Sequence, residues 1–390
     1  MVDRDAAPMI RKAARKFPAL TLTGPRQSGK STLCRALFPR LPYVNLEAPD
    51  TRAFARDDPR AFLAAHPKGA ILDEVQRVPE LLSYLQPILD ANPVAGRWVL
   101  TGSQNFALHA SVSQSLAGRA AVLHLLPLCH GEVVRFARHP TTLDEVMLAG
   151  GYPRIFDQRL KPADWLASYI ATYIERDVRA VSNVGDLSIF QRFVELCAGR
   201  TAQLLNYAAL AADCGISQPT AKAWLSVLEA SFIVFRLPAF HSNHRKRLVK
   251  MPKLHFLDTG LACWLLGIRS ADQLRSHPLR GPIFETWVAS EVLKQRTHRG
   301  ERVGLSFYRD RDAAEADLLI ERSGRLTIVE AKSAQTASSS LFQGAERVRG
   351  HLQGSGRRVD VVVAYGGAEA QVRTGARLVP WNRLKDERWV

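Results

Sequence analysis

A multidomain α/β chain is predicted by three features of the sequence. A glycine-rich loop at residues 24–31 sits between a strand-like and a helix-like run, a helix–turn–helix pattern occupies 204–229, and a strand hairpin carrying carboxylates lies at 315–332. The 390 residues exceed one ordinary domain, and 46% hydrophobic with 23% charged residues is a globular composition with enough apolar material for real cores. The expected divisions are a parallel-sheet domain at 1–128, a helical region at 129–252 and a second α/β domain at 253–390.

The first element is the apolar run Phe17–Thr23, of strand type, followed by Gly24-Pro25-Arg26-Gln27-Ser28-Gly29-Lys30-Ser31 and then by the helical run Thr32–Phe38. This is a complete G-x-x-x-x-G-K-S phosphate loop in its strand–loop–helix context. Gly24 and Gly29 let the backbone curl so that successive N–H groups point at one anion, and the helix N-terminus adds its positive dipole end. Lys30 is expected at the β- and γ-phosphates and the Ser31 hydroxyl on Mg²⁺. Gly24, Pro25, Arg26, Gln27, Ser28, Gly29, Lys30, Ser31 and Thr32 are therefore the candidate ATP-binding residues.

Downstream, Gly69-Ala-Ile-Leu-Asp-Glu74 reads as a short buried strand ending in two acids. Asp73 is expected to hold Mg²⁺ through water and Glu74 to polarise the attacking water. A third strand, Arg97–Thr101, runs into Gly102-Ser103-Gln104-Asn105, where Ser103 is the candidate for touching the γ-phosphate or the water. The competing reading is an ordinary polar turn.

These elements resemble the AAA-plus ATPases. More narrowly, the phrases Gly24–Ser31, Leu72-Asp-Glu-Val-Gln76 and Thr101-Gly-Ser103 are similar to those of an uncharacterised bacterial and archaeal group, a resemblance covering about the first 150 residues. Ser115-Leu-Ala-Gly-Arg119 matches the same group. The resemblance implies a role for an arginine supplied across a subunit boundary, with Arg119 as the candidate and a homo-oligomer as the corresponding expectation.

Composition narrows the partners. The formal net charge is +16 and the pI near 10.0, which fits a chain held near a polyanion, nucleic acid being the usual one. An arginine-rich coding bias gives the same number. No apolar run approaches the roughly 20 residues of a membrane span, and the N-terminus lacks a signal-peptide layout. The five scattered cysteines make neither pairs nor a C-x-x-C spacing and fit reduced thiols in a cytoplasm.

In the middle of the chain the pattern is helical from Gly131 through Tyr152 and on to Val181, broken at Gly150-Gly-Tyr-Pro-Arg154. Leu204–Gly215 and Ile216–Glu229 then read as helix, glycine turn and helix, with Ser217 capping the second and Pro219 tolerated in its first turn. Phe232–Leu237 follows as a strand. Together these resemble a winged helix-turn-helix, whose outward positions would be Gln218, Thr220, Lys222 and Ser226. With a single charge among them, DNA contact and a rigid connector role both stay open. The cluster Arg245, Lys246, Arg247, Lys250 and Lys253 is placed to meet phosphates without reading sequence.

Near the C-terminus, Glu285 lies on an amphipathic helix, Asp317 on a strand, and Glu330 and Lys332 on the next strand, two apart and so on one face. The order Glu, then Asp, twelve residues, Glu-x-Lys resembles the PD-(D/E)xK core of restriction-endonuclease-like folds, with Ala316-Asp317 in place of Pro-Asp. The resemblance implies Mg²⁺ or Mn²⁺ on Asp317, Glu330 and Glu285, and Lys332 orienting or deprotonating water. The alternative is a domain that keeps the fold and uses these acids in salt bridges. Lys253–Leu261 matches a further phrase of the ATPase group, with Asp258 as a turn or cap residue.

The combined expectation is an ATPase acting on DNA, with metal-dependent phosphodiester cleavage by its C-terminal domain. The alternatives are a nucleotide-controlled switch that binds DNA or a protein without cutting, and an RNA-directed or toxin-like nuclease.

Overall fold

The computed structural model describes residues 2–103, 116–173, 187–240, 251–301, 303–310, 314–322, 324–353 and 356–389. The Gln104-Asn105 turn, Ser115, the end of the helix after Tyr173, and the basic residues Arg245, Lys246, Arg247 and Lys250 lie outside them. The chain forms two compact units: one is Met1–Leu128 with the short segments Ala230–Phe232 and Thr297–Glu301, and the other holds the remainder.

The first unit is an α/β domain. Strands β1 (Ala19–Thr23), β2 (Tyr43–Asn45), β3 (Ile71–Asp73), β4 (Trp98–Gly102) and β5 (Ala120–His124) make an all-parallel sheet in the order β2-β3-β4-β1-β5. The inner strands β1, β3 and β4 are buried along their whole length, as expected where helices cover both faces. Alternation divides them between two cores. Leu20, Leu22, Ile71 and Val99 pack with Ile10 and Leu33, while Ala19, Leu72, Trp98 and Leu100 pack with Phe62, Leu82 and Leu85. The register sets Thr23 beside Gly102 and Asn45 beside Asp73. The carboxyl ends of β1, β3 and β4 therefore converge at one edge, where parallel sheets bind ligands.

In the second unit, the helix Leu187–Ala198, β6 (Gln203–Leu204), the helices Tyr207–Cys214 and Gln218–Ala230, β7 (Val234–Leu237) and β8 (Lys253–Phe256) follow one another, and the strands pair antiparallel in the order β6-β8-β7. The order is helix, strand, two helices and two strands, with β8 central in the sheet. The first helix of the motif starts at Tyr207 rather than Leu204, because Leu204 is taken into β6 and the Asn206 side chain caps the helix by accepting from the N–H groups of Ala208 and Ala209, both at 3.1 Å. Gly215 closes that helix at φ 70°, a left-handed C-cap. The following strand starts at Val234, not Phe232, whose φ of 59° breaks extended geometry. Ala221, Leu225 and Leu228 are buried as expected, joined by Trp224 and Val227, while Ile216 is half-buried.

The region after Leu128 is less helical than its pattern suggests, with short helices at His130–Val133 and Leu143–Ala149. Two distant phrases explain each other here. Asp258 caps the helix Thr259–Leu265 through the Leu261 N–H at 3.1 Å and also accepts from the Gly151 N–H at 2.7 Å. A Cβ on Gly150, at φ 65°, would sit 2.1 Å from that carboxylate.

Six strands close the unit: β9 (Leu305–Arg309), β10 (Glu315–Arg322), β11 (Arg325–Lys332), β12 (Arg358–Tyr365), β13 (Gln371–Arg373) and β14 (Ala376–Pro380), in the order β13-β14-β12-β11-β10-β9. β10 and β11 are the expected hairpin, and β11, β12 and β14 run parallel. Phe284, Trp287 and Val288 of the helix Arg280–His298 cover one face, and Ala345, Val348 and Leu352 of the helix Gln343–Gln353 cover the other. The result is a three-layer α/β/α arrangement.

His130 is buried against the rings of Trp287 and Trp381, at centroid distances of 6.0 and 5.3 Å. Burial, with Lys385 and His139 adding to it, pulls its imidazole down to about 4. The unfolded chain therefore binds the extra proton between about pH 6.5 and 4, so this contribution to stability is present above pH 6.5 and lost as pH falls through that window. His130→Phe is expected to keep the aromatic packing and flatten the acid limb of thermal stability, by an amount on the order of 1–3 kcal/mol at pH 4. Differential scanning calorimetry from pH 7 to 4 checks this.

Candidate functional site

The phosphate loop grows directly out of β1. Gly24 adopts φ 155°, and a Cβ there would come 2.1 Å from the Leu125 carbonyl oxygen, so only glycine fits. Gln27 and Gly29 also take positive φ, at 61° and 91°, turning the loop into the helix Lys30–Leu37. Arg4 holds the loop from behind, donating to the Ser28 and Leu126 carbonyls at 2.8 Å each.

The Lys30 ammonium donates to the Gly24 and Pro25 carbonyls at 2.9 and 2.8 Å. Burial pulls it down to about 8, against the opposing pull of Glu74 and Asp73. Ser31 Oγ reaches both Asp73 oxygens at 3.0 and 2.9 Å. The β1–β3 topology thus joins two residues 42 positions apart into a hydroxyl–carboxylate pair of the kind that holds Mg²⁺ beside a triphosphate. Ser28 Oγ, buried in the loop, has no protein partner, and this orphaned donor fits a phosphate oxygen.

Two residues for which no role was expected complete this pair: Tyr43 Oη donates to Asp73 Oδ2 at 2.5 Å, and Thr101 Oγ1, from the Thr101-Gly-Ser103 phrase, donates to Oδ1. Tyr43 on β2 and Thr101 on β4 flank β3 on its two sides. Only the strand order could have revealed them.

Glu74, at φ 56°, turns off the end of β3. Ser103 Oγ donates to Glu74 Oε2 at 3.0 Å, and Gln76 Nε2 donates to the same oxygen and to Ser103 Oγ, the latter at 3.3 Å. Ser103 is therefore a positioning group for the Glu74 carboxylate. Ser103→Ala is expected to slow single-turnover hydrolysis about 10- to 100-fold through misplacement of Glu74, with nucleotide affinity unchanged in equilibrium titration.

Arg119 lies immediately before β5, with its guanidinium forked onto Asp90 at 2.5 and 2.9 Å and donating to the Ala117 carbonyl at 3.1 Å. Within its own domain it is an ion-paired flank residue.

In the second unit, the hairpin register, Leu318 opposite Val329, brings Asp317 next to Glu330. Asp317 Oδ2 accepts from the Ala331 N–H at 2.9 Å. Lys332 Nζ lies 2.6 Å from Glu330 Oε1. Glu285 faces the same cluster from the helix Arg280–His298, so all four expected residues converge. Burial and the Asp317 charge push Glu285 up to about 8 and Glu330 up to about 7, and burial raises Asp317 as well.

One expectation is corrected here. Lys253, read as a phosphate-contacting surface residue, is 3% exposed on β8. Its Nζ lies 2.8 Å from Glu285 Oε1, 2.7 Å from Glu315 Oε1 and 3.8 Å from Asp317 Oδ1. Burial works against its charge, but Glu285 and Asp317 outweigh it and hold the ammonium above its usual value. Position in a basic run misled, because the strand buries this one side chain among acids. Among the described residues, no helix is long and apolar enough to cross a membrane, and all five cysteines are buried free thiols.

Three family models match successive stretches of the chain. Residues 16–134 match the family described as an AAA domain, residues 140–272 a domain of unknown function (DUF8612), and residues 280–384 another (DUF4143). Two curated relatives, the uncharacterised proteins Rv2008c of Mycobacterium tuberculosis and Mb2031c of Mycobacterium bovis, are each 32% identical over 340 residues, covering 86% of this chain and 75% of theirs. Among solved structures, the Walker-type ATPase of Pyrococcus abyssi aligns over 68% of this chain and 96% of its own, with TM-score 0.47 and 17% identity. A signal-transduction ATPase of Pyrococcus horikoshii with a tetratricopeptide repeat sensor aligns over 77% and 47%, with TM-score 0.24 and 12% identity.

Proposed function

This chain belongs to the family of the two mycobacterial proteins and is a P-loop ATPase, and from that premise we propose that it spends ATP hydrolysis on DNA and cleaves phosphodiesters with its C-terminal domain. The observation that carries the proposal is the convergence of Asp317, Glu330, Glu285 and Lys332 at one end of the β10–β11 hairpin. Carboxylates are gathered in a buried place at high cost unless a cation compensates. Glu330 Oε2, buried and without a protein partner, leaves an oxygen for such an ion. The donor set, all oxygen, suits Mg²⁺.

In this reading Asp317, Glu330 and Glu285 would hold the ion, which supplies charge for the scissile phosphate. Lys332, half-exposed at 39% and charged beside Glu330, would orient the attacking water, whose proton passes to solvent as the oxygen bonds to phosphorus. The bond to the leaving oxygen then breaks, and that oxygen takes a proton from solvent. The winged helix and the net charge of +16 support DNA as the polymer, with Gln218 and Lys222 exposed on the second helix of the motif. ATP and Mg²⁺ belong to the phosphate loop and Asp73. Arg119 would act across a subunit boundary in a homo-oligomer by exchanging Asp90 for a neighbour's phosphate.

A second reading, a nucleotide-controlled switch that binds without cutting, draws on Lys253, whose ammonium already neutralises part of the carboxylate cluster. Plasmid DNA and a structured RNA, incubated with the full chain, Mg²⁺ and ATP, test the first. Nicking of the plasmid, lost with Asp317→Ala and reduced with Lys30→Ala, is the expected result. Intact plasmid with ATP still hydrolysed would favour the switch, and cut RNA with intact DNA would redirect the account to RNA.

A further inference from the structure

Lys253 is placed where a charge matters most and where no motif for cleavage requires one. It comes from β8, the third strand of the winged-helix sheet, not from the hairpin that carries Asp317 and Glu330. Its ammonium makes short ion pairs to Glu285 and Glu315 and a longer one to Asp317, at 2.8, 2.7 and 3.8 Å. Those oxygens come from two elements, the helix Arg280–His298 and β10, and surround one nitrogen that is almost fully buried. On the far side of Asp317, Glu330 gives one oxygen to Lys332 and keeps Oε2 buried and unpartnered. The cluster therefore meets a buried ammonium on the Lys253 side and, on the other, a half-exposed ammonium beside one unpartnered carboxylate oxygen.

We propose that Lys253 is an exchangeable internal cation: it holds Glu285, Glu315 and Asp317 in place in the metal-free protein, and a divalent cation enters the pocket by displacing its ammonium. This rests on the reading above that the cluster takes a divalent cation, and adds what controls its entry. The physical basis is direct. A divalent cation needs 6 or more oxygen ligands in this chemistry for Ca²⁺, and near-octahedral oxygen coordination for Mg²⁺, so it cannot share Glu285 and Asp317 with an ammonium on the same oxygens without like-charge repulsion. Displacement frees those oxygens and adds them to the unpartnered Oε2 of Glu330. Glu315, which pairs with Lys253 and approaches Arg309 at 3.8 Å, anchors the closed state.

The test is direct Mn²⁺ binding to the full chain without nucleotide, followed by the loss of the free-ion electron paramagnetic resonance signal. It is run on the unchanged chain, Lys253→Met and Asp317→Asn, all carrying Asp73→Asn to remove the carboxylate of the phosphate-loop site. Lys253→Met is expected to bind Mn²⁺ more tightly by about tenfold or more, the scale of removing one partly screened like charge, and Asp317→Asn to abolish this site. Thermal unfolding gives a second readout, in which Lys253→Met loses stability in EDTA and regains it in Mn²⁺, whereas the unchanged chain responds less. A Lys253→Met chain that folds only when Mn²⁺ is supplied is the same positive result, while one that folds in neither condition overturns exchange. If the unchanged chain binds Mn²⁺ in an Asp317-dependent way and Lys253→Met binds no better, exchange is wrong and the metal reading stands. If no Asp317-dependent binding occurs in any of them, the metal reading fails and the exchange falls with it.

Discussion

Replacing Glu74 with Gln is expected to leave ATP binding in place and to lower kcat for hydrolysis about 10²–10⁴-fold, the usual contribution of a positioned general base. The carboxylate stands one residue past Asp73, turned off β3 at φ 56° and held by Ser103 and Gln76. An amide preserves size and hydrogen bonding but cannot accept the water's proton. Nucleotide binding is expected to rest on other groups: Lys30 and the loop backbone at the phosphates, and Ser31 through Mg²⁺. A binding isotherm for an ATP analogue should therefore be superimposable on that of the unchanged chain, while phosphate release collapses. Lys30→Ala gives the opposite pattern, loss of binding itself, because it removes the ammonium now parked on the Gly24 and Pro25 carbonyls.

Lys332→Met is expected to reduce plasmid cleavage about 10²–10⁴-fold and to leave the fold intact. The lysine is 39% exposed but its partner Glu330 is only 5% exposed, so Lys332→Met leaves a buried carboxylate less compensated and is expected to lower the thermal midpoint as well. A purely structural pair predicts that drop with cleavage unchanged. Gel-based nicking rates and calorimetry on the same preparation separate the two, and Lys332→Arg, whose planar fork does not place a compact ammonium on the water, should restore the pairing but not the rate.

The two sites were readable from the sequence to different depths. In the first unit, the glycines at 24 and 29, Lys30, Ser31, Asp73 and Glu74 lie in contiguous phrases, because a loop cradling an anion is built by consecutive backbone. Tyr43 and Arg4 escaped, because they reach the site only through strand order and loop packing, and Thr101 and Gln76, although they stand in the quoted phrases, showed their contacts only in the fold. At the second site the four acid and base positions were visible as spaced residues on a hairpin, since alternation puts 330 and 332 on one face. Lys253 and Glu315 were not, because their roles depend on the three-stranded sheet pairing that places β8 beside the cluster. The helical middle was overread: an apolar pattern from Gly131 to Tyr152 is consistent with short buried helices as well as one long one, and only packing against Asp258 and Gly260 decides.

The most direct measurement is steady-state ATP turnover of the full chain with and without duplex DNA, at fixed Mg²⁺ and at low and moderate salt. The account predicts that DNA raises turnover several-fold, and that the effect weakens as salt rises, because phosphate contacts release counterions. Turnover that is unchanged by DNA at any salt, with Glu74→Gln still inactive, would contradict a DNA-directed ATPase and leave the enzyme acting on a protein partner.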